Sequence, residues 1–313
     1  MDMLLSVIVP CYNEEEVIEE TYKRIIDVLV SNNYNYEIIF INDGSRDKTL
    51  YILTNLAANN SKVKVVGLSR NFGHQAAVSA GIKVCKGDIA IIIDADLQDP
   101  PEVFPEMIKL YEEHRANVVY AVRKERKGES WFKKFTASMF YKIINNLSSV
   151  KLPTDTGDFR LIDRKVINVF NSLPERDKYI RGLITWIGFK QVPIYYSRDA
   201  RFAGETKYPL AKMIKFATTG LVYFSRKPLK LATNLGFFSF MIGIALVIYT
   251  FVSKFLFPLK AYPGWASLMI AVIFFGGIQL ITIGVLGEYI GGMFEEIKGR
   301  PEYIIDTKLN IDN

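Results

Sequence analysis

Residues 91–102 read Ile-Ile-Ile-Asp-Ala-Asp-Leu-Gln-Asp-Pro-Pro-Glu. A run of aliphatic residues of the kind found in fully buried strands stops abruptly at three carboxylates, Asp94, Asp96 and Asp99. An uninterrupted apolar strand, without polar alternation, belongs to a sheet covered on both faces. In open α/β sheets, ligands gather just beyond the carboxyl ends of the strands. The stretch therefore predicts a mostly parallel α/β sheet with a polar, ligand-facing edge.

The flanking sequence repeats this arrangement. Leu4–Val9 is followed by a helical pattern over Glu14–Val30, and "YEIIFIN" by one over Asp47–Ala58. "VKVVGLS" leads into Gly73–Val84 and "DIAIIID" into Glu102–Glu113, and "VVYAV" closes the series. Short β-rich runs alternating with amphipathic segments indicate βαβ units. Polar clusters stand at the strand ends: "PCYNEEE", "NDGS", "SRNFGHQ", "DADLQDPP" and "RKERKGE". Further on, Ser130–Leu147, Asp163–Asn171 and Asp177–Ile187 read as helices, "KQVPIYYS" as a strand, and "DTGDFRL" and "RDARFAGETKYP" as loops.

The composition changes after Tyr208. Residues 208–230 mix Leu210, Met213, Ile214, Leu221 and Phe224 with Lys212, Lys215, Arg226, Lys227 and Lys230, the pattern of a helix lying on an anionic membrane surface. Such a helix can also pack against a second copy of the chain, which leaves a homo-oligomer open. Leu231–Phe251 and Trp265–Leu286 carry no charge and are long enough to cross a hydrocarbon core. Basic residues flank the outer ends of the pair: Arg226, Lys227 and Lys230 before it, Lys298 and Arg300 after it. The positive-inside rule then places both ends, and the large domain, in the cytoplasm. The expected organisation is a catalytic domain over 1–207, a juxtamembrane helix over 208–230, a two-helix hairpin over 231–290 and a cytoplasmic tail over 291–313. The expected location is the inner (plasma) membrane.

The net charge of +6 suits an anionic partner. Two cysteines, Cys11 and Cys85, give no disulfide framework, and with two histidines they make a Cys/His zinc site improbable. No Gly-x-Gly-x-x-Gly follows the first strand, which disfavours a dehydrogenase.

In an extended segment, residues two apart share a side, so Asp94 and Asp96 can aim at one point past the strand. Carboxylates placed so repel each other unless a cation joins them. Mg²⁺ or Mn²⁺, with substrate phosphates completing its shell, is the economical occupant. The alternative is a solvated strand end, and Asp99, before Pro100 and Pro101, is assigned to capping the next helix. Asp43 could accept hydrogen bonds from a uracil or ribose, Gly44 permits a tight turn, and Ser45 or Asp47 could cap the following helix. His74 reads as a helix-start residue.

"VPCYNEEE", "INDGSRDKT", "SRNFGHQAAVSAGI" and "DADLQDPPE", in this order, resemble the family-2 glycosyltransferases of the GT-A fold. "DTGDFRL", "KYIRGLITWIGFKQ" and "RFAGETKY", followed by two apolar segments, narrow the resemblance to the polyisoprenyl-phosphate glycosyltransferases. These include bactoprenol glucosyltransferases and, more distantly, dolichol-phosphate mannose synthase. The resemblance implies that Pro10, Tyr12, Glu14 and Asp43 hold the nucleoside end of a nucleotide-sugar donor. It places Asp94, Asp96 and Gln98 around the metal and diphosphate, with Asp94 also contacting the donor. Asp158, Asp96 and Arg160 stand at the reacting centre, with Asp155 a lesser candidate. Arg123, Lys134 and Ser138 would take the acceptor phosphate, Lys134 standing where dolichol-type relatives carry arginine. Arg201 and Lys207 would close over the donor.

The implied reaction is inverting transfer of glucose from UDP-glucose to undecaprenyl phosphate, serving cell-envelope glycan modification, with no nucleic acid involved. N-acetylglucosamine, galactose, mannose or an aminoarabinose are alternative sugars. A non-catalytic nucleotide-binding membrane scaffold is an alternative of another class. A processive polysaccharide synthase would carry Gln-x-x-Arg-Trp, which does not occur here.

Overall fold

The computed structural model describes residues 3–123, 156–176, 178–197, 227–256 and 264–311. The segments expected to carry Lys134, Ser138, Asp155, Arg201, Lys207 and most of the amphipathic helix lie outside these residues. The chain divides into two compact units, with the C-terminal residues from Arg300 onward grouped with the N-terminal unit.

The first unit is built on a sheet in the order β7-β5-β6-β4-β1-β2-β3-β8. Strand β1 (Leu4–Cys11) lies between β2 (Asn35–Asn42) and β4 (Ile89–Ile92), parallel to both, and β3 (Val63–Leu68) extends the parallel set beyond β2. Helices α1 (Ile18–Ser31), α2 (Thr49–Asn59), α3 (His74–Val84) and α4 (Phe104–His114) connect these strands, the last preceded by a short 3-10 turn at Pro101–Val103. The centre is apolar on both faces: Ile8, Ile38, Ile39, Phe40 and Ile41 are fully buried. Small residues let α3 lie close on the sheet. A Cβ added at Gly81 would stand 2.3 Å from a methyl of Ile8.

The sheet is mixed, and here the structure corrects two readings of the sequence. "DTGDFRL" is not a loop: Thr156–Asp163 forms β6, antiparallel to both β4 and β5 (Val118–Arg123), with all of its residues buried. Its polar side chains mislead the pattern because each of the charged ones has a partner inside the protein. The segment after residue 290 is not simply a tail. Ile305–Leu309 forms β8, antiparallel to β3, and covers an edge that would otherwise present unpaired backbone groups. The Asn310 side-chain amide donates to the carbonyls of Ala57 and Val63 at 2.7 and 2.8 Å, fixing that strand's end. The other edge is β7 (Gln191–Tyr196), parallel to β5, where Pro193 is tolerated.

After β6, Asp163 caps α5 (Arg164–Ser172), accepting from the Val166 amide at 2.9 Å and from the Asn117 side chain at 2.7 Å. Asp163→Ala removes the cap and strands a half-buried amide, and is expected to cost about 2 kcal/mol. Urea unfolding checks it: a midpoint unchanged from wild type contradicts the capping role. Helix α6 (Ile180–Ile187) then ends at Gly188 in a left-handed conformation.

The second unit contains α7 (Lys227–Leu256) and α8 (Trp265–Ile297). Both are apolar all round, with Phe237, Phe240, Ile248, Ile270 and Leu280 exposed. The stretches Leu229–Val252 and Ile270–Ile297 are long and apolar enough to cross a membrane.

Candidate active site

At the carboxyl edge of the sheet, three loops are tied together by main-chain donors. Asn13, at a φ of 53°, has its amide bonded to the Ser45 hydroxyl at 3.0 Å, and its own side chain accepts from the Arg46 amide at 2.8 Å. The Glu14 amide donates to the Thr49 hydroxyl and the Glu15 amide to Asp47. Asp47 also accepts from the Thr49 amide, the capping-type contact expected at the start of α2. This clasp holds half-buried Tyr12 and Glu14 beside the end of β2, while Pro10 is buried within β1.

Asp43, next to β2, is buried and turned toward the loop after β3. One carboxylate oxygen accepts from the Phe72 amide at 2.7 Å, and the other from the Gly73 amide and the Asn71 side chain, both at 2.9 Å. Burial raises its pKa above the usual value, against the pull of the two amides. Its carboxylate thus organises the Asn71–Gly73 loop, a role the sequence did not suggest.

Strand β4 ends at Ile92, and Asp94–Leu97 forms a turn rather than an extended continuation. Leu97 takes a φ of 58°, unusual for a branched residue, and the Ala95 carbonyl is held by the Thr21 hydroxyl at 2.8 Å. Burial nonetheless alternates: Ala95, Leu97 and Asp99 are buried, whereas Asp94, Asp96 and Gln98 are half-buried. Asp96 accepts from the Gln98 amide at 3.2 Å. Asp99 does not cap a helix. The Pro100–Pro101 turn has no side-chain cap, and Asp99 instead accepts a hydrogen bond from the Tyr196 hydroxyl on β7. The pull is toward the buried tyrosine because the prolines themselves leave little for a cap to satisfy. Arg123, at the end of β5, donates to the same hydroxyl at 3.4 Å.

Asp158 on β6 is the hub of the site. His74 at the start of α3 lies 2.9 Å from Oδ2, and the Gln75 side-chain amide donates to the same oxygen at 3.2 Å. Arg181 in the first turn of α6 forks onto both oxygens, Nε to Oδ1 at 2.7 Å and Nη2 to Oδ2 at 3.2 Å. Gln75 also accepts from the Ile180 amide at 3.0 Å, so it joins α3 to α6 as well as to Asp158. Arg160, which the resemblance places at the reacting centre, is 3.9 Å from Asp158 and donates to the Gly157 carbonyl. Arg181 rather than Arg160 forks onto Asp158, and with His74 and Gln75 it is a residue that sequence reasoning missed. The available signal was a basic residue opening an amphipathic helix within "KYIRGL".

The electrostatics follow from this geometry. Burial works to raise the Asp158 pKa, but Arg181 and His74 outweigh it and hold the carboxyl well below the usual carboxylate range. Burial works to lower His74, but Asp94 and then Asp158 push the imidazole up to about 9. Arg160 is depressed to about 10 by burial. Asp94 is pushed up to about 6 by burial and by Asp99, Asp158 and Asp96, against the pull of His74. His74 Nε2 is 3.7 Å from Asp94, so one imidazole links the "DADLQD" turn to β6.

Among the described residues, no group of three or more His, Cys, Asp or Glu side chains is arranged to enclose a metal ion. Asp94 Oδ1, however, is buried and has no hydrogen-bond partner. One or two carboxylates with an unmet oxygen fit a hard cation that takes the rest of its shell from phosphates and water, and do not fit zinc.

Comparison with known proteins gives this edge a lineage. Residues 6–170 match the family described as glycosyl transferase family 2, and residues 227–293 match the GtrB C-terminal hairpin. An uncharacterized glycosyltransferase, YkcC of Bacillus subtilis, is 47% identical over 310 residues, covering 98% of this chain and 95% of its own. An uncharacterized glycosyltransferase of Synechocystis sp. is 45% identical over 305 residues, covering 97% of this chain and 95% of its own. The bactoprenol glucosyl transferase of Shigella phage SfV is 41% identical over 310 residues, covering 98% of this chain and 99% of its own. Carboxylates and cations thus meet at the edge of a GT-A sheet whose sequence matches such relatives from end to end, and the chain belongs to glycosyl transferase family 2 as an enzyme that transfers glycosyl groups.

Proposed function

We propose that the chain transfers glucose from UDP-glucose to a polyprenyl phosphate, undecaprenyl phosphate, with inversion at the anomeric carbon. The carrying observation is the saturation of Asp158. Its oxygens already accept from His74, Gln75 and Arg181, and its pKa is held low, so it is poorly suited to take a proton from a sugar hydroxyl. A phosphate monoester acceptor needs no such base, because it is largely ionised near neutral pH. Its oxygen attacks the anomeric carbon, the bond from that carbon to the diphosphate breaks, and the electron pair leaves with UDP. Curated relatives named bactoprenol glucosyl transferase support the same acceptor and sugar.

Mg²⁺ or Mn²⁺, held by Asp94 and Asp96 with Gln98 alongside, would supply charge neutralisation for the leaving diphosphate. The chain's own contribution is positioning and fixed charge. Pro10, Tyr12, Glu14 and Asp43 line the donor's nucleoside end, and Arg123 faces the acceptor phosphate. The two apolar helices cross the plasma membrane with their basic outer ends, Lys227, Lys230, Lys298 and Arg300, on the cytoplasmic side. That arrangement keeps the catalytic domain in the cytoplasm, where nucleotide sugars are made.

The test is incubation of detergent-solubilised protein with Mg²⁺, undecaprenyl phosphate and labelled UDP-glucose. A labelled, solvent-extractable sugar lipid is the expected product. Absence of any such product with UDP-glucose and with other nucleotide sugars overturns the acceptor assignment.

A further inference from the structure

The contacts around Asp158 leave a cation only partly used. Arg181 donates through Nε and Nη2 to Asp158 and through Nη1 to the Thr156 carbonyl at 3.0 Å. Three of the five guanidinium N–H groups are thereby occupied, and the other two have no partner among the described residues. The side chain is 28% exposed, whereas that of Asp158 is 4% exposed, so Arg181 is the more open member of the pair. It also acts electrostatically on Asp94, His74, Arg160 and Arg123, which places it in the middle of the site rather than on its margin.

Charge points the same way. Asp158 carries one negative charge, and both His74 and Arg181 bond to it. Arg160 adds a second guanidinium 3.9 Å away, while His74 is shared with Asp94 at 3.7 Å. Two guanidinium groups therefore face the single carboxylate of Asp158. An Arg held rigid by a carboxylate fork, with N–H groups to spare, is pre-organised for a second anion at little further entropic cost. A planar guanidinium with two remaining donors matches phosphate oxygens.

We propose that Arg181 is a phosphate-binding residue of the site, and that Asp158 serves to aim it. The ligand is a phosphate oxygen, from either the donor diphosphate or the acceptor phosphomonoester, and the proposal rests on the glycosyl-phosphate reading above. Under it, β6 and α6 form a sprung pair: β6 supplies the carboxylate, α6 supplies the guanidinium, and Gln75 ties the start of α6 to α3 so that the fork cannot swing away.

The experiment uses the full chain in detergent and compares Arg181→Gln, Arg181→Lys and Gln75→Ala. UDP affinity is measured by calorimetry with Mg²⁺ and no lipid, and KM and kcat are measured with undecaprenyl phosphate. Arg181→Gln is expected to weaken one phosphate ligand about tenfold to a hundredfold, the scale of a lost hydrogen bond to a charged group. A rise in the UDP Kd alone assigns the guanidinium to the diphosphate, and a rise in the lipid KM alone assigns it to the acceptor. Arg181→Lys keeps the charge without the fork and recovers part of the loss, and added guanidinium ion partly rescues Arg181→Gln. Gln75→Ala loosens the fork without removing a phosphate donor, so it weakens the same affinity as Arg181→Gln but by a smaller factor. The proposal is overturned if Arg181→Gln leaves both affinities unchanged, or if Gln75→Ala weakens them equally. Should wild type yield no sugar lipid at all, the reaction assignment fails, and the UDP measurement alone then decides the role of Arg181.

Discussion

Asp158→Asn is expected to reduce turnover about a hundredfold to a thousandfold. The substitution is isosteric but replaces one acceptor oxygen by an N–H₂ group. The four donor contacts on Asp158, from His74, Gln75 and the two arms of Arg181, then face a single carbonyl oxygen. At least one donor meets another donor. Buried Arg160 and half-buried Arg181 lose their counter-charge, and breaking a buried pair from one side costs about 3–5 kcal/mol. Part of that cost appears as lost stability, and the rest as a guanidinium and an imidazole no longer held in place. The pH dependence separates this account from one in which Asp158 is a general base. A carboxyl held well below its usual pKa is ionised across the whole neutral range, so no limb of the wild-type rate profile belongs to it. The sign for stability is equally definite. A depressed carboxyl contributes stability that is present above its unfolded pKa of about 4 and is lost as pH falls toward its folded value. Rate profiles of wild type and Asp158→Asn between about pH 5 and 9, alongside acid unfolding of both, check these statements. A wild-type limb in the neutral range that vanishes in the variant would restore the general-base account.

Much of this site could be read from the chain because strand ends are punctuated. The central parallel strands are mainly apolar, so the change to Asp at Asp43 and Asp94 marks where the sheet stops and the ligand edge begins. What escaped were residues whose meaning depends on a partner far away in sequence. Asp99 next to two prolines has the local pattern of a cap, yet its partner is Tyr196 on the edge strand. "DTGDFRL" has the composition of a loop, yet Asp158 is neutralised by His74 and Arg181 from α3 and α6, and Arg160 turns back onto the Gly157 carbonyl. His74 and Arg181 stand 107 positions apart by residue number, and only the junction of those two helices with β6 brings them to one carboxylate. The strand Ile305–Leu309 escaped for a different reason. It has no fully buried residue and alternates half-buried with exposed positions over only five residues, and pairing with β3 is what makes it a strand.

Gly44→Ala is expected to cost about 3 kcal/mol or more and to abolish UDP binding along with it. Two separate penalties meet at this position. Gly44 sits at a φ of 63°, where an added Cβ costs about 1–2 kcal/mol in conformational strain alone. That Cβ would also stand 2.4 Å from the carbonyl carbon of Arg70 and 2.6 Å from the amide nitrogen of Asn71. Both are backbone atoms and cannot rotate out of the way, so the 70–73 loop must move. This is the loop whose amides hold Asp43, and the residue that follows it is His74. A shift there therefore disturbs both the Asp43 corner and the Asp158 hub. Gly188→Ala provides the internal comparison. Its φ is 79°, but an added Cβ meets nothing closer than 3.7 Å, so it carries the strain without the collision. The difference between the two variants in urea unfolding isolates the cost of displacing the loop, and UDP calorimetry on both reads its effect on the site. If Gly44→Ala proves no more damaging than Gly188→Ala in either measurement, the close packing of these two loops is not what builds the donor edge.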